Sequence, residues 1–418
     1  MPFSPETLDR LGVPAHLRSF EPTREAALAR AARAEPGPYA RTRNRLDGAV
    51  TGLSPYLTHG LVTLPEVAAV VDRRHGLGPQ DKLASEFGWR EFFHHAWAHA
   101  GDAILEDMRP TLPWPGRYAD AVPADVREGR TGVPAIDAAV RVLYATGYLH
   151  NHARLWLASY LVHLRKVRWR AGADWLWGHL LDGDLASNHL GWQWVAGSFS
   201  AKPYLFNARN VAAFAPAGAA AAWDSTGTVI DAGDEALAGL AYRAADLGPQ
   251  RPDAPGVAEP SLLAAPPAGL LAGLSCPLSR GEAPDTAGRP LELVHPWALG
   301  PGGTPGAFRL GVVHLPAHVD WPWSERRWRF MLGAMAASCD AIWLGDLHRL
   351  HLARRPATAT ACAFPGYRQA WASLGVQARP VPRLFAAPPA AARSFSAFWR
   401  HAGRHAMGLP GEGQSRHG

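Results

Sequence analysis

Apolar residues recur at three- and four-residue spacing through Leu83–Ala100, Ala135–Ala145 and Leu149–His163, with breaks at Pro110–Pro115 and Gly129–Pro134. No strand-like alternation interrupts residues 1–215. With no strand pattern among them to pack on, stripes of this period point to helix packed against helix, so residues 1–215 are predicted to form one all-helical domain.

The pattern changes twice after that. Residues 216–290 carry Ala-, Pro- and Gly-rich runs such as Ala264-Ala-Pro-Pro-Ala-Gly269 and read as a linker or surface excursion, helical in part over Asp234–Ala244. From Leu291 short apolar runs (Leu291–Val294, Leu310–Leu315, Ala341–Leu344, Val381–Phe385) alternate with helical patterns at Ser324–Ser338 and Tyr367–Leu374. Strands alternating with helices predict a small α/β domain over 291–400 with a parallel sheet, followed by a flexible tail at 401–418. Ser324 before Glu325 is the expected N-cap. The expected fold is therefore mainly α: a helical domain, a linker, then a small α/β domain.

Composition narrows the function classes. No run of 18 apolar residues and no basic-then-apolar N-terminus occurs in the 418 residues, so neither a membrane span nor a secreted protein is expected, and the cytoplasm is the default. Cys276, Cys339 and Cys362 form no CxxC pair, which removes the usual zinc and iron–sulfur spacings, and they read as ordinary buried thiols. A net charge of +6, carried almost wholly by arginine, permits an anionic partner such as nucleic acid. Seventeen tryptophans require an explanation of their own.

The densest polar cluster in an aromatic setting is Asp182-Gly-Asp184-Leu-Ala-Ser-Asn188 running to Trp192-Gln-Trp194. Carboxylates inside a helical core require partners, and Asn151 and Arg154, three residues apart on one helical face, offer one. Arg154 can pair with either Asp182 or Asp184, as a ligand-facing arrangement or as a brace between two helices. A second cluster, Glu86-Phe-Gly-Trp89-Arg90-Glu91-Phe92-Phe93, is either a cavity wall or an ordinary amphipathic core and rim. A third joins Arg41-Thr-Arg43-Asn-Arg45 to Thr51-Gly-Leu53-Ser54-Pro55, where hydroxyls beside glycine at a helix start can cradle phosphate, or simply cap the helix. His95 and His99 lack an HExxH setting, and no GxSxG, P-loop or full GxGxxG occurs, so no metal ligand set is expected.

In this order the segments resemble the FAD-binding helical domain of the photolyase/cryptochrome family. The resemblance rests on Thr51-Gly-Leu-Ser54-Pro55-Tyr-Leu-Thr-His-Gly60, Trp89-Arg90-Glu91-Phe92, Arg130-Thr-Gly132-Val-Pro134-Ala-Ile-Asp137-Ala-Ala-Val-Arg141, Gly147-Tyr-Leu-His150-Asn151 and Asp182-Gly-Asp184-Leu-Ala-Ser-Asn188 with Trp192-Gln193-Trp194. It covers roughly residues 20–210. It implies FAD, with Thr51, Leu53, Ser54, Tyr39 and Arg43 toward the phosphates and Asn151, Arg154, Asp182, Asp184 and Asn188 around the flavin, Asn188 opposite N5. It also implies light-driven repair of UV-damaged DNA: excited reduced flavin donates an electron to a flipped-out cyclobutane pyrimidine dimer, the ring splits, and the electron returns. Glu86 is then the dimer's hydrogen-bond partner, with Trp89, Arg90, Asn151, Leu155 and Trp194 lining its pocket, and Trp169 and Trp192 feeding electrons to the flavin.

The departures from the family pattern are specific. The third electron-transfer position falls near Gly116, leaving Trp114 or Tyr118 as substitutes, the usual dimer-touching methionine is Leu155, and the usual phosphate-loop arginine is Gly52. Family members carry an α/β antenna domain before the FAD domain, whereas here an α/β-like segment follows it and receives no chromophore assignment. The alternative reading is a non-catalytic cryptochrome-like photoreceptor that signals to a protein partner through residues 216–418. DNA contact is expected to be phosphate-driven, with Arg165, Lys166, Arg168 and Arg170 as candidate contributors, although a run of this kind is more often a solvated helix end than a binding stripe.

Overall fold

The computed structural model describes residues 4–109, 118–242, 246–352 and 356–410. Helix predominates, accompanied by a small parallel sheet, and the chain divides into two compact units. Their boundaries differ from the expected ones. The first unit comprises Met1–Ser19, Gly37–Val50 and His99–Pro260; the second comprises Phe20–Pro36, Thr51–Ala98 and Ser261–Gly418. Segments 20–36 and 51–98, expected with the helical domain, therefore belong to the unit that holds the sheet.

In the first unit the helix Pro134–Thr146 opens on a proline, whose missing N–H costs nothing at that position, and stops at Gly147 with φ +69°. Most of its residues are buried, as befits a central helix. The expected helix Leu149–His163 is shorter, Asn151–Ser159, and passes into a wider π turn at Tyr160–Leu164. Helices Trp169–His179 and Leu185–Ala196 pack on one another, the second capped by Asp184 and ended by Gly197 at φ +91°. The described residues of 216–260 belong to the first unit rather than forming a linker. Trp223 is buried with its indole N–H donated to the Leu11 carbonyl at 3.0 Å, and Glu259 accepts from Arg127 at 2.5 Å and from Trp175 at 2.8 Å.

In the second unit the strands are β1 (Leu278–Ser279), β2 (Leu291–Val294), β3 (Phe308–His314), β4 (Ala341–Gly345), β5 (Ala357–Thr360) and β6 (Gln377–Arg379). They form one all-parallel sheet ordered β1-β4-β3-β2-β5-β6, so the strand order reverses between β2 and β5. Parallel sheets are covered on both faces, which explains the fully buried β2 and the uniformly apolar β4. The expected strand at Val381–Phe385 does not form; Pro380 and Pro382 interrupt it, and the edge strand β6 lies just before them. Ser324 caps helix Glu325–Ser338 as expected, its side chain accepting from the Arg327 N–H.

At the strand-order reversal, where open α/β sheets usually admit ligands, the chain's own side chains fill the crevice. His295 donates to the Thr360 carbonyl at 3.2 Å, and Trp297 stacks on Phe364 with ring centroids 4.2 Å apart. Trp323, Trp328 and Tyr367 close around the buried His318. Of the tryptophans beyond residue 215, Trp223, Trp321, Trp323, Trp328, Trp343 and Trp371 are core, while Trp297 and Trp399 are half-buried. The three cysteines are separate, half-buried free thiols.

Candidate functional site

The expected site residues fall in both units, and each set is described in its own unit. In the first, Gly147 turns the chain out of helix Pro134–Thr146, and its carbonyl accepts the Leu181 N–H at 2.8 Å. This bond holds the turn before Leu185–Ala196 beside the start of helix Asn151–Ser159. Arg154 then meets Asp182: Nη2 lies 2.9 and 2.7 Å from the two carboxylate oxygens, while Nε donates to the Leu149 carbonyl at 2.6 Å. Asp182 is buried, and Arg154 retains 22% side-chain exposure. Of the two carboxylates open to Arg154 on sequence grounds, the structure selects Asp182.

Asp184 has a different task. Its carboxylate accepts the Ser187 N–H at 2.8 Å and so caps the helix it precedes. One turn on, Asn188 commits its amide N–H to the Ala173 carbonyl at 2.9 Å, which fixes the orientation of its amide plane. Between them Ser187 Oγ is buried with no hydrogen-bond partner among the described residues. Sequence reasoning passed over Ser187, although it stands inside the Asp184–Asn188 motif. A buried hydroxyl left open beside an ion pair, a carboxylate and an oriented amide is the donor and acceptor set that a polar heterocycle needs, so these residues fit FAD.

Basic side chains gather at the start of helix Asn151–Ser159. Burial pushes the His150 imidazole down to about 3, helped by the charges of His152 and Arg154, and burial with the Arg43 charge takes His152 to about 4. Both imidazoles are neutral at pH 7, which leaves Arg43 and Arg154 as the fixed positive charges. Tyr39 is half-buried in the helix Pro36–Thr42. Asn151 is exposed in the first turn of its helix, Leu155 is half-buried, and the half-buried Trp194 lies 5.8 Å from Tyr204.

Trp169 and Trp192 are both buried at the contact of their two helices. The Trp169 indole N–H donates to Asp107 at 2.6 Å and its ring stands edge-on to His189 at 6.2 Å. Trp192 fills the space that a side chain on Gly172 would occupy. Trp114 and Gly116 lie outside the described residues; Tyr118 is half-buried.

The expected phosphate-contacting run is largely used internally. Arg165 is buried between Asp125 and Asp246, each at 2.6 Å, and Lys166 Nζ donates to the Ala241 carbonyl at 2.6 Å. Arg170 holds Asp174 at 2.8 Å. Arg168 alone of the four is exposed, paired with Asp120 at 3.0 Å.

In the second unit Gly52 takes φ +61° and Leu53 is buried, with Thr51 before them and Ser54 opening the short helix Ser54–Thr58. On helix Lys82–Ala100, Glu86 pairs with Lys82 at 3.2 Å and Arg90 reaches the Leu57 carbonyl at 3.4 Å. Trp89 is stacked face to face on Phe395, centroids 4.0 Å apart and planes within 8°. Phe395 opens the C-terminal helix Phe395–Ala402, which also sets Phe398 against Phe92. The buried Glu91 accepts the N–H groups of Leu384 and Phe385 at 2.6 and 3.0 Å, and His95 accepts that of Ala392. One face of the expected dimer wall is therefore occupied by the chain itself, a contact with no sequence signal.

Comparisons with known proteins bear on this geometry. Residues 83–237 match the family model described as the FAD-binding domain of DNA photolyase. Proteins named deoxyribodipyrimidine photo-lyase are 40% identical over 192 residues in a strain of Thermus thermophilus (44% of this chain, 45% of that protein) and 39% identical over 150 residues in Streptomyces griseus (36% and 32%). Cryptochrome-1 of Arabidopsis thaliana is 33% identical over 178 residues, covering 38% of this chain and 25% of its own length. The chain spans less than half the length of these relatives. Among solved structures, a Synechocystis cryptochrome is similar over 51% of this chain and 47% of its own, with 25% identity and a TM-score of 0.43.

Proposed function

We propose, on the premise that this chain carries the FAD-binding domain of the photolyase/cryptochrome family, that it is a light-driven flavoprotein that repairs cyclobutane pyrimidine dimers in UV-damaged DNA. The observation that carries the proposal is the constellation within the family-matched segment: the Arg154–Asp182 ion pair, the Asp184 cap, the anchored Asn188 amide and the open Ser187 hydroxyl. FAD, when bound and reduced, supplies a light-excited one-electron donor for splitting the dimer. Arg154 and Asp182 would hold the polar side of the flavin, Asn188 would present a neutral amide to it, and Tyr39 and Arg43 would serve its phosphates. Neutral amides, unlike acids, leave the protonation state of a neighbouring ring to the ring itself. Trp192 and Trp169 would be the residues that carry electrons toward a bound flavin, and Glu86 would hydrogen-bond the dimer.

One observation favours the photoreceptor as second reading. Phe395 covers a face of Trp89, so the C-terminal segment rests on a residue assigned to the lesion pocket. The discriminating experiment measures, on one preparation, bound flavin, its photoreduction, and light-dependent loss of thymine dimers from single- and double-stranded DNA. Repair by the wild type, reduced far more than flavin content in Glu86→Ala, is expected. Normal photoreduction with no repair on either DNA overturns the repair reading in favour of the photoreceptor.

A further inference from the structure

The second unit carries a cluster with ligand chemistry that light-driven repair does not use. β3 and β4 are neighbours with His314 in register with Gly345, so the residues that leave the carboxyl end of β4 lie beside His314. These residues are Asp346-Leu347-His348. One potential ligand atom from each of His314, Asp346 and His348 lies within 4.8 Å of the others. From these three side chains we infer a divalent transition-metal site at the carboxyl edge of the sheet, with zinc as its prototype.

The surroundings prepare the donors. Ser373 Oγ donates its hydrogen to the Gln369 carbonyl at 3.0 Å and has none left for His348 Nδ1 at 3.2 Å; it therefore accepts from that nitrogen. His348 is thereby fixed with its proton on Nδ1 and the Nε2 lone pair open, the second-neighbour arrangement typical of metal-ligating histidines. Asp346 is held by the His348 N–H at 3.1 Å, which leaves the carboxylate three further lone-pair positions. His314 Nδ1 accepts the Leu347 N–H at 3.1 Å and lies 3.8 Å from Asp346 Oδ1, so an ion bound through Nδ1 has to displace that amide.

Two imidazoles and one carboxylate suit zinc, iron(II), cobalt or nickel, whereas magnesium and calcium prefer oxygen alone. Donors around a tetrahedral ion at about 2.0–2.1 Å sit roughly 3.4 Å apart, so the cluster closes by little more than about 1 Å. The movable partner is at hand: His314 is buried and Asp346 half-buried, while His348 is exposed. Three protein ligands with the solvent side open leave one position for water. Arg349, 3.8 Å from Asp346 and 85% exposed, is the competing cation and is free to turn outward.

The test is metal binding by the full chain, prepared with chelator and titrated with zinc by calorimetry and with cobalt by its visible absorption. One tight equivalent with tetrahedral-type cobalt absorption is expected. His348→Ala and Asp346→Asn each weaken it by at least about 10-fold, and Ser373→Ala weakens it about 10-fold with the ligands intact. His348 is exposed, so its removal leaves the fold in place, which circular dichroism checks. His401 and His405, with rings 5.0 Å apart, are the control pair. Absence of binding at 100-fold metal excess, or binding lost in His401→Ala/His405→Ala but kept in His348→Ala, overturns the site.

Discussion

Replacing Gly172 by alanine sets two effects of known size against each other. Gly172 lies inside helix Trp169–His179, where alanine is ordinarily favoured by about 0.8–1.0 kcal/mol. A Cβ there would stand 2.4 Å from two ring carbons of Trp192, which is 3% exposed. Carbon contacts are comfortable at about 3.5–4.0 Å, so the indole has to retreat by about 1 Å into a close-packed interior. Overpacking of this kind costs about 1–3 kcal/mol, and a rigid buried indole belongs in the upper half of that range. Gly172→Ala should therefore lose about 1–2 kcal/mol net, against the sign that helix propensity gives. Urea denaturation followed by far-ultraviolet circular dichroism and tryptophan fluorescence measures this. Photoreduction of bound flavin in the same variant should slow, because the displaced ring is the one proposed to pass the electron. A variant about 1 kcal/mol more stable than wild type, with unchanged photoreduction, would refute both the close contact and its role.

Asp182→Asn keeps the shape but removes the charge opposite the partly buried Arg154; breaking such a pair costs about 2–4 kcal/mol after allowance for the arginine's exposure, and flavin content after gel filtration should fall with it. Unchanged stability with full flavin would show that the pair does neither job. Acid sensitivity is the second expectation. Burial lowers His295 from 6.5 to about 4, so between those values the unfolded chain binds the extra proton and stability is lost as pH falls. At pH 5 that histidine alone contributes about 2 kcal/mol of destabilisation relative to pH 8. His295→Gln should flatten the pH dependence of the denaturation midpoint between pH 5 and 7.5, and an identical slope in the variant would exclude His295 as its source.

How much could be read from residues alone depends on how local the cause is. The helix Tyr367–Leu374 and the strand Leu291–Val294 form where expected, and the Ser324 cap forms because its partner N–H is three residues away. The Arg154–Asp182 pair was legible as a need for partners, but choosing Asp182 over Asp184 required the Gly147–Leu181 bond, which joins residues 34 apart. The place of the described residues of 216–260 in the first unit was hidden for the same reason. Trp223 and Glu259 find their partners at Leu11, Arg127 and Trp175, and composition carries no trace of such contacts.

The basic run at 165–170 shows why residue type alone misleads about a nucleic-acid partner. Four cations within six residues read as a phosphate stripe or a solvated helix end, yet Arg165 is 3% exposed between two carboxylates, and withdrawing it would strand the buried Asp125. A buried pair of this kind is expensive to break, so Arg165 has no charge to lend. Lys166 sits at φ +51° with its ammonium turned to backbone carbonyls, and burial lowers it to about 8, which weakens it further as a permanent cation. Arg168 is the opposite case. Its partner Asp120 is as exposed as itself, pairs of that kind are worth about 0–1 kcal/mol, and a phosphate can take the carboxylate's place at almost no cost. Exposure of the pair, rather than the density of arginine, therefore decides which charges are available to an anionic partner, and exposure is set by residues far away in the chain.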